Sequence, residues 1–184
     1  MLDDSVCHER YLKCHLVAIF NFLGYQVEFS LQTGTFESTL DEKGRVVIPA
    51  FLRDRYMGNL VITQGLEACL WIMTDSVYKD FLSKIDSLDN TLNYEEIEAF
   101  RYQCIAPARS VEIDPKTGRV PIPAAHRSYA KLSKDCLVLS IDGHLEVWNE
   151  EKYSAFCDKN QLVAKKAKEK LTGKMSLFPR GDQP

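Results

Sequence analysis

The sequence predicts an α+β, β-rich fold built from two tandem hairpin-plus-helix units, joined and flanked by helices. Three observations predict it. First, one stretch occurs twice: Thr39-Leu-Asp-Glu-Lys-Gly-Arg-Val-Val-Ile-Pro49 and Glu112-Ile-Asp-Pro-Lys-Thr-Gly-Arg-Val-Pro-Ile-Pro123. Each sets an acid, a Lys and a Gly-Arg in a tight turn, then a short apolar strand ending at proline. Second, the match runs on: Pro49 is followed by Ala-Phe-Leu-Arg53 and Pro123 by Ala-Ala-His-Arg127. Third, each half then shows an apolar strand (Leu60–Thr63, Cys136–Ser140) and a Gly turn leading to a strand that ends in tryptophan (Gly65 to Trp71, Gly143 to Trp148). Two copies imply a pseudo-symmetric pair, not a solenoid. A chain of 184 residues suits one domain, or two small halves sharing a core.

Residues 1–30 belong to neither repeat, yet hold two of the six Cys and two of the four His. The repeat begins near Gly34-Thr-Phe-Glu-Ser-Thr-Leu40, whose alternation reads as a half-buried strand. Asp41-Glu-Lys-Gly44 is hairpin punctuation, with Gly available for the left-handed position that closes the turn. Val46–Ile48 is the return strand, and Pro49 stands where a short helix, roughly Ala50–Tyr56, begins. Thr74 caps a helix over Asp75–Ile85, with an acid in its first turn, where the helix dipole favours it. A helical connector, about Asn93–Gln103, is predicted from Ile97, Phe100 and Cys104 at helical spacing.

The second half repeats this grammar with one residue more. Asp114-Pro-Lys-Thr-Gly118 closes its turn with Pro115 at the first corner. Pro121 removes a ladder donor from Val120–Ile122, which puts that strand at an edge or bulge. A second short helix spans about Ala124–Leu132, and Asn149 caps a helix over Glu150–Phe156. Lys159–Pro184 holds seven basic residues against Glu169 and Asp182, which predicts a frayed helix followed by disorder.

Composition narrows the function. A formal charge of -3 and a pI near 5.8 argue against nonspecific coating of nucleic acid, but leave room for a local basic face. The scattered cysteines read as reduced thiols of a cytoplasmic protein, and the apolar stretch Leu16–Leu23 is too short to span a membrane. The residues before it mix acids with bases and no small-residue cleavage site follows, so export is not expected. The pairs Cys7-His8 and Cys14-His15 match no standard zinc spacing, so no metal is expected. Neither a Gly-rich phosphate loop, a paired-His zinc motif nor a nucleophile elbow is present, so neither catalysis nor a cofactor or small-molecule substrate is expected.

The Asp-x-Lys-Gly-Arg turn, the Ile-Pro step and the Pro-x-x-x-Arg helix resemble the swapped-hairpin (SpoVT-AbrB type) domain of AbrB-type transcription factors. Two such domains in one chain, over about residues 33–160, resemble the MraZ family of bacterial regulators of the division and cell-wall gene cluster. The resemblance implies interleaved hairpins from both copies, an intrachain pseudo-dimer, because one such unit is too small to bury a core alone. It divides the chain into a non-family extension (1–32), domain 1 (35–80), a helical connector (81–107), domain 2 (108–151) and a C-terminal helix with a basic tail (152–184). The extension is either an upstream translation artefact or dispensable. The resemblance further implies a homo-oligomer closed into a ring, without a membrane role, that binds double-stranded DNA at G-rich promoter direct repeats and represses its own operon, acting in the cytoplasm at the nucleoid.

The residues named for DNA binding are Lys43, Arg45, Lys116 and Arg119, hairpin-tip cations able to fork onto phosphates or guanine edges. Asp41, Gly44, Asp114 and Gly118 shape the turns, the two acids orienting the arginines. The second motif departs from the family form by one extra residue, so Arg119 is the less secure contact. Arg53 and Arg127, at matched helix positions, are read first as structural ion pairs and secondarily as DNA contacts. Trp71 and Trp148 read as core or interface anchors, and His126 and His144 as surface residues. The alternative from another class is an antitoxin-like protein that binds a toxin and autoregulates. Such antidotes carry one hairpin unit and a disordered tail, whereas this chain has two units.

Overall fold

The two halves trade strands. The computed structural model describes residues 33–87, 92–141 and 143–172. The first half supplies β1 (Gly34–Thr39), β2 (Arg45–Val47), β3 (Asn59–Gln64) and β4 (Cys69–Thr74). The second supplies β5 (Arg109–Glu112), β6 (Arg119–Pro121), β7 (Asp135–Ile141) and β8 (His144–Asn149). Six strands form an antiparallel sheet in the order β1-β7-β8-β4-β3-β5, while β2 and β6 form a separate ribbon. The first strand of each half therefore lies on the other half: Thr39 opposite Asp135, and Asn59 opposite Glu112. This is an α+β fold consistent with the swapped-hairpin architecture.

The exchange follows from what each strand must bury. Val46 and Val120 face each other at the centre of the ribbon, with Ile48 and Ile122 just beyond its ends. These four join Leu60, Ile62, Leu70, Ile72, Val138, Leu145 and Val147 of the sheet in one cluster, nearly all fully buried. Burying each side chain contributes about 1.5–3 kcal/mol. A lone half would leave its ribbon strand without a partner and its apolar face wet. Pro121 is tolerated because a two-stranded ribbon has only edges.

Pro49 and Pro123 open the short helices as expected, each in the extended conformation immediately before the first helical residue. The first is a 3-10 helix, Ala50–Tyr56; the second, α3 (Ala124–Tyr129), ends three residues earlier than the sequence suggests. Lys131 turns left-handed there (φ 49°), and the Leu132 N–H closes onto the Arg127 carbonyl at 3.0 Å. Between the halves run α1 (Asp75–Asp86) and α2 (Tyr94–Phe100). Thr74 caps α1, its hydroxyl accepting from the Val77 N–H at 3.4 Å. A capping box starts α2: the Asn93 side chain accepts from the Glu96 N–H at 3.0 Å, and Glu96 accepts from the Asn93 N–H at 2.9 Å. The connector continues as one π-helical turn, Arg101–Ile105. It is stitched to the β3–β4 hairpin, where Thr63 Oγ1 donates to the Cys104 carbonyl at 2.6 Å and the Gln103 amide donates to Gly65 O at 3.0 Å.

Asn149 caps α4 (Glu150–Thr172), accepting from the Lys152 N–H at 3.0 Å. The sequence predicts a capped helix over Glu150–Phe156 and a frayed one in the basic segment from Lys159 on. The helix instead runs unbroken for 23 residues, because Gln161–Leu171 is almost all Ala, Lys, Leu, Gln and Glu, with no Gly or Pro before Gly173. Expectations for residues 1–32 and 173–184 lie outside the described residues. Among the described residues, the compact unit Gln32–Ser154 contains every strand and every buried hydrophobic side chain; Ala155–Thr172 of α4 belongs to a second unit.

Candidate functional site

The ribbon brings the two repeated turns to one pair of strands. In the first turn the Gly44 N–H donates to Asp41 O at 2.8 Å and the Asp41 N–H to Arg45 O at 2.9 Å. In the second the Gly118 N–H donates to Asp114 O at 2.7 Å and the Asp114 N–H to Arg119 O at 2.8 Å. The extra residue widens the second turn, yet both exit in register, with Arg45 opposite Pro121 and Val47 opposite Arg119. Gly44 and Gly118 stand at φ +72° and +68°, the left-handed conformation that both turns need.

The carboxylates are used differently. Asp41 Oδ1 accepts from the Lys43 and Arg45 N–H groups at 3.0 and 2.9 Å. Its Oδ2 accepts from Arg45 Nε at 2.9 Å and lies 2.8 Å from Arg45 Nη2. Arg119 Nε comes to the same Oδ2 at 3.4 Å. Among the described residues Asp114 has no arginine partner; its carboxylate is taken up by the Lys116 and Thr117 N–H groups at 2.9 and 3.1 Å. Both acids thus take two backbone N–H donors, Asp41 from Lys43 and Arg45 and Asp114 from Lys116 and Thr117. Of the two acids read as orienting the arginines, Asp41 pairs with Arg45, whereas Asp114 binds the backbone of its own turn. One carboxylate of the first turn serves both guanidinium groups, and hydrogen bonding from the Arg45 side chain holds it below the usual carboxylate range.

Arg45 and Arg119 are equally presented, their side chains 33% and 36% exposed, and Lys43 and Lys116 stand exposed on the turns. The turns carry four cations against Asp41, Glu42 and Asp114, a local excess of positive charge on a chain of net charge -3. Two guanidinium forks held side by side can engage phosphate oxygens or the acceptor edge of guanine.

Among the described residues Arg53 and Arg127 form no ion pair with an acid. Arg53 Nε donates to the Ile48 carbonyl at 2.9 Å, and Arg127 Nη1 donates to the Ile122 carbonyl at 2.6 Å. Each guanidinium lies against the turn glycine of the opposite half, Arg53 on Gly118 and Arg127 on Gly44.

The tryptophans are anchors with a polar partner that the sequence did not reveal. Counted back from the caps Thr74 and Asn149, they occupy different positions, Trp71 three residues before and Trp148 one residue before. Both grip Glu146: Trp71 Nε1 donates to Oε1 at 3.1 Å and Trp148 Nε1 to Oε2 at 2.8 Å. Burial pushes the Glu146 carboxyl up, but His144 and the two indoles outweigh it and leave the carboxyl below its ordinary range. His144, expected at the surface, is half-buried; its ring lies edge-on to Trp71, with Nε2 3.5 Å from Glu146. His126 is also corrected. It is 3% exposed because it occupies the place that Leu52 fills in the first half. The signal was present in the repeat, since Ala-Ala-His-Arg127 aligns with Ala-Phe-Leu-Arg53.

Among the described residues no three His, Cys, Asp or Glu side chains come together to hold a metal, and Cys7, His8, Cys14 and His15 lie outside them. No helix among them is long and apolar enough to cross a membrane.

Comparison with known proteins points one way. The family model of the MraZ protein, whose description also calls it antitoxin-like, matches residues 31–97 and 104–174. The Transcriptional regulator MraZ of Treponema denticola is 36% identical over 140 residues, 76% of this chain and 96% of that protein. That of Treponema pallidum (strain Nichols) is 39% identical over 125 residues, covering 67% and 83%. That of Thermoanaerobacter sp. (strain X514) is 33% identical over 138 residues, covering 75% and 94%.

Proposed function

This chain belongs to the MraZ family of transcriptional regulators, and on that premise we propose that it binds double-stranded DNA sequence-specifically and represses its own division and cell-wall operon. In this reading Gln32–Ser154 is an intrachain pseudo-dimer of two swapped hairpins, and its ribbon is the reading head. Arg45 and Arg119 make the principal contacts, with Lys43 and Lys116 adding phosphate attraction. The observation that carries the reading is the convergence of Arg45 and Arg119 on one Asp41 oxygen. A carboxylate hydrogen-bonded to Arg45 and within ion-pair distance of Arg119 favours that arrangement before DNA arrives, which lowers the ordering cost of binding.

A single chain of net negative charge gains little from long-range attraction to DNA. Several copies closed into a ring would instead meet several promoter direct repeats at once, each further contact being intramolecular. Fluorescence anisotropy on the native upstream region tests this. A probe keeping one repeat is expected to bind far more weakly than the full set, and equal affinity contradicts multivalent binding. The antitoxin-like description of the family supports a second reading, capture of a small toxin. Stoichiometric co-purification of such a protein, with indifference to DNA, would favour it.

A further inference from the structure

We infer that the two turns are positioned in trans: Arg127 of the second half sets the shape of the first turn, and Arg53 of the first half sets the shape of the second. The inference deepens the DNA-binding proposal and rests on its reading of the turns as the contact. Two closed circuits of contacts carry it. In one, Gly44 O accepts from the Ile122 N–H at 2.9 Å, the Ile122 carbonyl accepts from Arg127 Nη1 at 2.6 Å, and the Arg127 guanidinium returns to cover Gly44. In the other, Gly118 O accepts from the Ile48 N–H at 2.8 Å, the Ile48 carbonyl accepts from Arg53 Nε at 2.9 Å, and Arg53 covers Gly118.

The spacing Ile-Pro-x-x-x-Arg, found at Ile48–Arg53 and Ile122–Arg127, makes each circuit possible. The isoleucine gives its N–H to the opposite turn and its carbonyl to its own arginine, five residues on. The proline starts the short helix that swings this arginine back over the opposite glycine. A flat guanidinium suits the role, because it can lie on a glycine face while an edge donates; an ammonium cannot. The same contacts explain both turn glycines twice over. A Cβ at either position would meet the facing guanidinium, besides the cost of a positive φ. Arg53 and Arg127 are thus positioning residues, each giving an N–H to its own isoleucine carbonyl.

The test uses the full chain carrying Arg53→Lys or Arg127→Lys, with Arg53→Gln and Arg127→Gln should either fail to fold. Millisecond hydrogen exchange without DNA reads the turns directly. Arg127→Lys is expected to speed exchange at residues 41–45 and spare 114–119; Arg53→Lys is expected to do the reverse. Changes confined to the mutated half, or no change in either turn, overturn the inference. Anisotropy on the native upstream probe over a salt series adds the second arm. Loss of affinity with the wild-type dependence on salt fits positioning, whereas a slope lower by about one marks a lost phosphate contact and overturns it. Should the unaltered chain ignore DNA, the function proposal fails, while the exchange pattern still decides the clamp.

Discussion

Asp41 and Asp114 look interchangeable in sequence, and the structure separates them. Replacing Asp41 by Asn removes the counter-charge from Arg45 and Arg119 together. The expected result is weaker preference for the native DNA probe than in Asp114→Asn, whose carboxylate only braces its own turn. Comparable losses in the two variants would contradict the shared-carboxylate account. His126 gives the sharper pH signature. Burial, first, and the nearby Arg109 push its pKa below the ordinary histidine value, against the Pro107 carbonyl, which favours the proton. The unfolded chain therefore takes up this proton first as the pH falls. Stability is full above about pH 6.5 and declines toward the lower folded pKa, by at most about 1.4 kcal/mol per pH unit. His126→Leu, copying Leu52, should flatten that decline between pH 7 and 5 in urea titrations. An unchanged slope would place the titration elsewhere.

At the scale of elements, the ribbon is where sequence and structure agree best. Turn residues, return strands and proline-started helices all come from short-range rules, so the repeated Asp…Gly-Arg…Ile-Pro string sufficed to find them. Its partners were legible only through family resemblance, because no local pattern says that β1 must lie on β7 instead of its own half. The shared use of Asp41, the clamp of Arg53 on Gly118 and the indole grip on Glu146 were hidden for the same reason. Each includes a pair distant in sequence (Asp41 with Arg119, Arg53 with Gly118, Trp71 with Glu146), where periodicity carries no information. Residue type puts His126 and His144 at the surface, because polar side chains are usually exposed, whereas the repeat register aligns His126 with the buried Leu52. Gly44→Ala tests the element directly. The positive φ and the facing Arg127 together should cost at least about 1 kcal/mol in chemical denaturation, and a neutral substitution would show that the turn can adopt another shape.

For the whole molecule, one core serves both halves, so neither should melt alone. Ile48→Ala and Ile122→Ala remove buried side chains from matched places in the cluster, each expected to cost about 2–5 kcal/mol. The unfolding midpoint seen through Trp71 in a Trp148→Phe protein should coincide with that seen through Trp148 in a Trp71→Phe protein, once each is referred to its far-ultraviolet transition. Separate midpoints within one protein would mean two folding units. The same unity lies behind the functional claim that both turns read DNA as one head. The most direct measurement is an anisotropy double-mutant cycle with Arg45→Ala and Arg119→Ala on the native upstream region and a shuffled control. The account predicts that either substitution abolishes most of the preference for the native probe, and that the double variant loses less than the two single losses combined. Retention of full preference by Arg119→Ala, or by both single variants, would contradict it.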